Sequence, residues 1–266
     1  MKKVRLDLEL VERGLATSRE KAKALIMAGQ VLVDEQKIDK AGTVIKKDAV
    51  IRLIGNLSPF VSRGGLKLNK AIEVFNLDLT NKVVADIGAS TGGFTDCALQ
   101  NNALKVFAID VGYGQLDWKL RNDPRVINME RTNARYLTLA DLGEKVDFIS
   151  IDVAFISLEK ILPAVVKLLK DSGEIVALIK PQFEAGKDKI GKKGVVKEPK
   201  VHKEVIENVL KVCADLQLGI SGLTYSPIKG PEGNIEYLLW LNNANISIDS
   251  VDINQVVQEA FDNLSS

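Results

Sequence analysis

The sequence of 266 residues predicts an α/β protein: a doubly wound, mostly parallel sheet preceded by a small α+β module. Three observations carry this reading. From residue 83 onwards, short apolar runs rich in Val and Ile alternate with helical patterns, which is the signature of parallel strands joined by crossover helices. The run Val83-Val84-Ala85-Asp86-Ile87 passes through the Gly-rich turn Gly88 to Gly93 into a helix, as a buried strand does at the mouth of a ligand crevice. The first sixty residues instead show two short helical stretches followed by hairpin-like runs.

Leu6 to Arg13 places apolar residues at helical spacing and stops at Gly14. Thr17-Ser18-Arg19-Glu20 reads as a capping box with Thr17 as N-cap, launching a helix through Ala28 that Gly29 terminates. Val31 to Val33 and Val50 to Ile54 read as strands, with Lys37-Ile38 between them, and Asp34-Glu35-Gln36 as the hairpin turn. Asn56 to Ser62 holds turn formers and Pro59, so residues 1–58 are expected to form one domain and 59–63 a linker. Residues 64–245 then form the larger domain: a helix from Leu66 to Phe75, strands at Val83–Ile87, Val106–Asp110, Arg125–Ile127, Asp147–Asp152 and Glu174–Ile179, and helices at Leu158–Leu169 and Val201–Leu216. Gly219–Thr224 and Glu236–Leu241 follow each other without room for a helix, which predicts a closing antiparallel pair. The tail, 246–266, reads as a terminal helix.

Composition narrows the function. With 46% hydrophobic residues the chain can bury a core, and no apolar stretch approaches the roughly 18 to 20 residues that span a bilayer. The start has basic residues with no apolar stretch behind them, so secretion is not expected. Cys97 and Cys213 lie far apart without metal-type spacing and read as reduced thiols of a cytoplasmic protein. A single histidine, His202, leaves no basis for a histidine-built metal site or a Ser-His-Asp triad, and no metal is expected. Charge is unevenly spread: residues 1–63 hold thirteen Lys or Arg against eight Asp or Glu, and Lys180 to Lys203 holds eight lysines against three acids. Two basic regions around a crevice fold suit a polyanionic partner, although runs of this size also occur as plain solvated surface. The glycine-punctuated stretch Lys187 to Lys193 reads equally as a loop over such a partner or as an exposed loop.

The glycine turn points to a particular ligand chemistry. An acid, Asp110, closes the next strand about 20 residues on, placed to accept hydrogen bonds from ribose hydroxyls. Ala89, Ser90 and Thr91 separate Gly88 from Gly92-Gly93, unlike the three spaced glycines that cradle a pyrophosphate. Asp86 beside the turn suits S-adenosylmethionine, which carries a sulfonium and an ammonium and no phosphate. Gly88, Gly92, Gly93 and Asp86 are then expected around its methionine half, Asp110 at the ribose and Asn133 near the adenine. A tight turn with no ligand is the competing reading of the glycines alone.

Asp152 and Lys180 also stand at strand ends, next to apolar runs where an unpaired charge is costly, so each should meet a partner there. A structural salt bridge would satisfy that requirement by itself. The segments SRGGLKL, DIGASTGGFT, ISIDVAF, LIKPQFEAG and GNIEYLLWL, however, resemble the FtsJ-type ribose methyltransferases, whose active site is a Lys-Asp-Lys-Glu tetrad. The matching positions are Lys67, Asp152, Lys180 and Glu236, all present and in order. The amino-terminal stretch RLDLELVERGLATSREKAKALIMAGQVLVDEQKIDKAG resembles the small RNA-binding domain named after ribosomal protein S4, whose phosphate-contacting positions fall on Arg5, Arg19, Lys21 and Lys23. Together they make essentially the whole chain similar to the TlyA family, two-domain bacterial enzymes that methylate cytidine ribose 2′-hydroxyls in ribosomal RNA and are often labelled haemolysins.

That resemblance implies a Rossmann-like S-adenosylmethionine-dependent methyltransferase acting on ribosomal RNA or ribosomal subunits, with no membrane and no metal involved. It implies that Lys180 is the general base, with Lys67 the neighbouring cation and Asp152 and Glu236 orienting both amines. A cytolysin fits the sequence badly, because no secretion signal, spanning segment or strongly amphipathic basic helix is present. A non-catalytic ribosome-assembly factor leaves the complete tetrad unexplained. Methylation of a base amino group usually accompanies an Asn/Asp-Pro-Pro-aromatic signature, where this chain has Asp152-Val153-Ala154-Phe155.

Overall fold

Leu6, Leu10, Ala22 and Ile26 recur at helical spacing, and burying that stripe between two helices builds the amino-terminal part of the protein. In the computed structural model, residues 3–16, 18–54, 58–186, 189–191, 194–246 and 251–264 are described. The chain divides into two compact units, Met1–Leu57 and Ser58–Ser266.

The first unit runs β1 (Lys3–Arg5), α1 (Leu6–Glu12), α2 (Arg19–Met27), β2 (Val31–Val33), β3 (Gln36–Ile38), β4 (Val44–Lys46) and β5 (Ile51–Leu53). β2 pairs antiparallel with both β3 and β5. The β2–β3 turn places Asp34 and Glu35 at φ 49° and 64°, the left-handed pair that matches hairpin twist. β1 pairs with β4, a ribbon of three-residue strands too short to show a sequence period. The cap of α2 differs from expectation: the Ser18 hydroxyl accepts from the Lys21 amide, and Thr17 lies outside the described residues.

Two of the expected RNA contacts have internal work. Asp7 is fully buried in the first turn of α1. Its carboxylate accepts from Arg5 Nε and a second Arg5 nitrogen, each at 3.0 Å, and from Arg19 Nε at 2.9 Å. The guanidiniums remain 45% and 44% exposed, so each spans core and surface. Lys21 is exposed and Lys23 half-buried, with no ion pair for either among the described residues.

The second unit runs α3 (Gly64–Phe75), β6 (Val83–Ile87), α4 (Gly93–Gln100), β7 (Lys105–Ile109), α5 (Trp118–Arg121), β8 (Val126–Met129), α6 (Leu139–Leu142), β9 (Val146–Ile151), α7 (Leu158–Val165), β10 (Leu169–Ile179), α8 (Pro181–Glu184), α9 (Pro199–Asp215), β11 (Gly219–Tyr225), β12 (Tyr237–Asn242) and α10 (Ile253–Leu264). The sheet order is β8-β7-β6-β9-β10-β12-β11. β6 to β10 are parallel, whereas β12 runs antiparallel to both neighbours, as the missing helix before it requires. The order reverses between β6 and β9, the switch point beside which ligands bind in such sheets. Helices cover both faces over two apolar clusters.

Two boundaries move. The expected linker 59–63 is packed into this unit: Phe60 is buried in its core and the Val61 amide donates to Asp96 Oδ2 at 2.8 Å. The tail helix α10 is likewise integral, burying Val257 and Ala260 against the same core as α9 and β11. No described helix is long and apolar enough to cross a membrane.

The Asp7 cluster yields a pH-dependent expectation. The Arg5 hydrogen bond, opposed by burial and supported by Arg19, holds the Asp7 carboxyl well below the usual carboxylate range. Its contribution is therefore complete above the unfolded value near 3.9 and disappears as pH falls through the folded value. Asp7→Asn should lower stability by about 1–3 kcal/mol at pH 7 in urea unfolding, with the variant and the parent converging as the buffer is taken towards strong acid.

Candidate active site

An acid in β6, Asp86, and the glycine just after the strand, Gly88, are both fixed by what surrounds them. Gly88 has φ +87°, and a Cβ there would stand 2.4 Å from the carbonyl oxygen of Asp152. Only glycine lets the first turn lie against the end of β9. Gly93 opens α4 where a Cβ would meet the Gly65 amide nitrogen at 2.8 Å, so α3 and α4 touch backbone to backbone. That contact brings Lys67, one turn into α3, over the same edge of the sheet.

Four charged side chains from four segments meet there. Lys67 Nζ donates to Glu236 Oε2 at 2.7 Å and lies 3.4 Å from Asp152 Oδ2. Lys180 Nζ is ion-paired with Asp152 Oδ1. Gln182 Nε2 donates to Glu236 Oε1 at 3.3 Å. Lys67, Lys180 and Glu236 are buried and Asp152 is half-buried, so two ammonium and two carboxylate groups balance in a mostly dry setting. Burial opposes the Lys67 ammonium, but Asp152 and Glu236 outweigh it and hold its pKa above the ordinary lysine value. Burial likewise opposes the Asp152 carboxylate, and Lys67 with Lys180 overcomes it, keeping that pKa below the usual range.

Two clefts adjoin this cluster. One, of about 360 Å³, is lined by the quartet together with Ser62, Arg63, Gly93 and the segment Ile228 to Pro231. The other, of about 480 Å³, is lined by Asp110, Asn133 and apolar residues of β6, β7 and α7 such as Ile87, Ile109 and Ile161. They share Gly88, Ser90, Asp152 and Ala154. The second cleft fits a ligand with an apolar flat group, hydroxyls and positive rather than negative charge: its walls carry two carboxylates and a single cationic residue, Arg135.

The expected cofactor residues separate into two sets. Gly88, Gly93, Asp110 and Asn133 line the clefts. Asp110 also accepts from the Ser90 and Gly112 amides, at 2.8 and 2.7 Å, so it shapes the loop as well as facing the cleft. Asp86 and Gly92 line neither. Asp86 is buried behind the turn, where its carboxyl accepts from Thr95 Oγ1 at 2.7 Å and Ser150 Oγ at 3.1 Å, tying β6 to α4 and β9. Gly92, at φ +93°, leaves room for Leu116 and Leu120. Arg63, Lys229 and Gln182 are the residues that sequence reasoning did not single out; Arg63 sits four residues before Lys67 and Gln182 two after Lys180, and that proximity was the available signal. His202 is buried between Tyr237 Oη at 2.8 Å and the Val196 carbonyl at 3.0 Å, and both cysteines are buried thiols that burial pushes up, Cys213 to about 12. These three side chains are core.

The model of the FtsJ-like methyltransferases matches residues 60–243, and that of the S4 domain matches residues 4–51. The chain belongs to the FtsJ-like methyltransferases, in the TlyA family. It is 50% identical to the Bacillus subtilis (strain 168) protein named "Putative rRNA methyltransferase YqxC", over 99% of this chain and 96% of that one. It is 44% identical to the 16S/23S rRNA (cytidine-2'-O)-methyltransferase TlyA of Mycobacterium tuberculosis (strain ATCC 25618 / H37Rv), over 90% of each chain. A solved structure named "Putative hemolysin from Streptococcus thermophilus" superposes with a TM-score of 0.79 at 46% identity, covering 100% of this chain and 98% of that one. This TlyA-family fold implies the use of S-adenosylmethionine, and the second cleft fits that ligand.

Two outcomes follow for the quartet and for the acid behind the turn. Lys67→Met strips Glu236 of its ammonium and should cost about 3–5 kcal/mol in urea unfolding, whereas Lys67→Met/Glu236→Gln keeps the balance and should be the more stable of the two. Strict additivity would show that the groups do not share an interaction. Asp86 is pushed up to about 7, chiefly by burial. The folded chain therefore keeps a proton there that the unfolded chain has lost, and stability falls as pH rises from the ordinary carboxylate value towards 7. Asp86→Asn should remove that fall, so its melting temperature should gain on the parent between pH 5 and pH 7.5.

Proposed function

We propose that this chain transfers the methyl group of S-adenosylmethionine to a ribose 2′-hydroxyl of ribosomal RNA, a cytidine as in its named relative. The observation that supports this reading is the charge-balanced quartet standing where the two clefts share Gly88 and Asp152. A donor in the second cleft and a sugar in the first would meet at those residues. Ribosomal RNA and ribosomal subunits are the partners, and the work belongs in the cytoplasm.

When bound, S-adenosylmethionine supplies a methyl group on a positively charged sulfur, reactive towards an oxygen in line behind it. The chain's own residues prepare that oxygen. Ile87, Ile109 and Asn133 would hold the adenine, Asp110 the ribose hydroxyls, and Gly88, shared by both clefts, the backbone against the methionine half, while Gly93 lines the first cleft beside the quartet. Lys180 Nζ faces the sugar; after releasing its own proton to solvent, the neutral amine takes the hydroxyl proton, with Asp152 orienting it. Lys67 and Glu236 fix Asp152 and present a second hydrogen-bonding edge to the sugar. Arg63 and Lys229, on the wall of the first cleft and without ion pairs among the described residues, hold the flanking phosphates. Positioning of this kind contributes roughly 7–11 kcal/mol to such reactions, and base catalysis about 10²- to 10⁴-fold. In the amino-terminal unit Arg5, Arg19, Lys21 and Lys23 contact phosphates, which raises affinity with little sequence information.

Lys180→Ala should reduce methyl transfer to unmodified bacterial ribosomal subunits by about 10²- to 10⁴-fold while calorimetric S-adenosylmethionine affinity stays within several-fold of the parent. Equal loss of both would make the residue structural. The product should carry one phosphodiester resistant to alkali, since a methylated 2′-oxygen cannot attack its neighbouring phosphate. Mass spectrometry placing the methyl on a base would overturn the ribose reading.

A further inference from the structure

The loops that rim the second cleft carry more than that cleft requires. Tyr113 and Tyr136 are 68% and 70% exposed. Each tyrosine has a guanidinium against it: the Arg131 Cζ lies 3.9 Å from the Tyr113 ring centre and the Arg135 Cζ 5.6 Å from that of Tyr136. The acids of this stretch are engaged elsewhere. Glu130 holds Arg121 at 2.9 Å and accepts from the Gln115 amide, Asp123 holds Arg125 at 2.8 Å, and Asp117 caps α5. Arg131 and Arg135 have no carboxylate partner among the described residues. Arg131 is also held with φ 57°, a left-handed conformation that a bulky residue adopts at a cost, and its amide donates to the Gly112 carbonyl at 2.9 Å. The next amide, Thr132, donates to the Asp110 carbonyl at 2.9 Å, so the two tyrosine-bearing loops are tied to each other beside Asp110.

We propose that Tyr113–Arg131 and Tyr136–Arg135 form a stacking platform on the catalytic unit for RNA bases adjoining the target nucleotide. This rests on the ribosomal RNA methyltransferase reading and adds to it a second RNA-contacting surface, outside the amino-terminal unit. The Arg131 guanidinium layered on the Tyr113 ring offers a planar, cationic face, and Arg135 adds charge beside the exposed Tyr136 ring, which suits an unpaired nucleobase on one side and a phosphate at its edge. A protein partner would instead be expected to meet a closed apolar patch, whereas these rings are interleaved with uncompensated positive charge. The position supplies the register: Asp110, Thr132 and Asn133 of the same loops line the cleft next to the reacting cluster, so a strand laid on the platform runs alongside the sugar being methylated.

The test measures binding separately from chemistry, with full-length protein and unmodified bacterial ribosomal subunits in filter-binding titrations. Tyr113→Ala, Tyr136→Ala and Arg131→Gln should each weaken subunit binding by roughly 5- to 100-fold, leaving calorimetric S-adenosylmethionine affinity and melting temperature near the parent values. Arg131→Lys, which keeps the charge and loses the plane, should fall between Arg131→Gln and the parent. Parent-like subunit binding in all three variants, with methyl transfer intact, would overturn the platform and leave the methyltransferase reading standing. Variants that lose S-adenosylmethionine affinity in step with RNA affinity would also overturn it, since the rings would then serve the cofactor. Failure of the parent itself to bind subunits or methylate them would overturn both readings.

Discussion

Two lysines and two carboxylates share a nearly dry site, and the balance of their charges is the constraint on which the architecture turns. A single ion of that kind left alone would cost several kcal/mol, so the four must arrive together or not at all. They arrive from four segments because of strand direction. Asp152 and Lys180 stand just past the ends of β9 and β10, which are parallel with Ala177 beside Ile151. Glu236 stands just before β12, which is antiparallel with Tyr237 beside Ile179. Reversing the last inner strand is what brings its beginning to the edge where its neighbours finish. A parallel β12 would deliver Glu236 to the opposite edge and leave Lys67 facing Asp152 and Lys180 in net positive company.

Close backbone approach supplies the fourth member and the clefts. With a side chain at Gly88 the first turn would stand off from Asp152, separating the second cleft from the acid that pairs with Lys180. With one at Gly93, α3 would move away from α4 and carry Lys67 out of reach of Glu236 at 2.7 Å. Asp86 works from behind. By accepting from Thr95 and Ser150 it fastens the strand, the helix and the neighbouring strand that the turn connects. A proton held there near neutral pH lets an acid serve in the core without a counter-ion.

Most strand positions in the second unit were legible because apolar runs and glycine turns are local signals: Val83–Ile87 was read at its observed limits and the closing antiparallel pair followed from a missing helix, whereas the helix expected over Leu158–Leu169 ends at Val165 and β10 already begins at Leu169. The four charged residues stood out through short motifs, three around strand ends and SRGGLKL at the start of α3. Direction within a run was harder to see. Asp86 and Gly92 belong to the glycine-turn motif, yet the pleat of β6 turns Asp86 towards Ser150 and the turn aims Gly92 at Leu120. Arg5 and Arg19 read as surface cations because nothing local reveals that Asp7 lies buried between them. The β1–β4 ribbon and the pairing of Tyr113 with Arg131 depend on residues far apart in the chain, which no period records. The short stretch 59–63 looked like a linker because turn formers flank Phe60, and its burial is a tertiary fact.

Neutrality of the quartet also shapes how a polyanion must be handled. A cluster with surplus positive charge at the bottom of the first cleft would draw a phosphate onto Lys180 and block the sugar from it. With Asp152 and Glu236 matching both ammonium groups, the quartet exerts little net pull on a nucleic acid. On the proposed reading, attraction comes from other cations: Arg63 and Lys229 on the wall of that cleft, and the basic excess of residues 1–63. Long-range attraction of this sort raises encounter rate and weakens with salt, while the choice of atom is left to close fit around the sugar. On the proposed reading, affinity and chemistry fall to different charges, and the internal pairing that lets four ions share a dry site would also keep that site open to a hydroxyl.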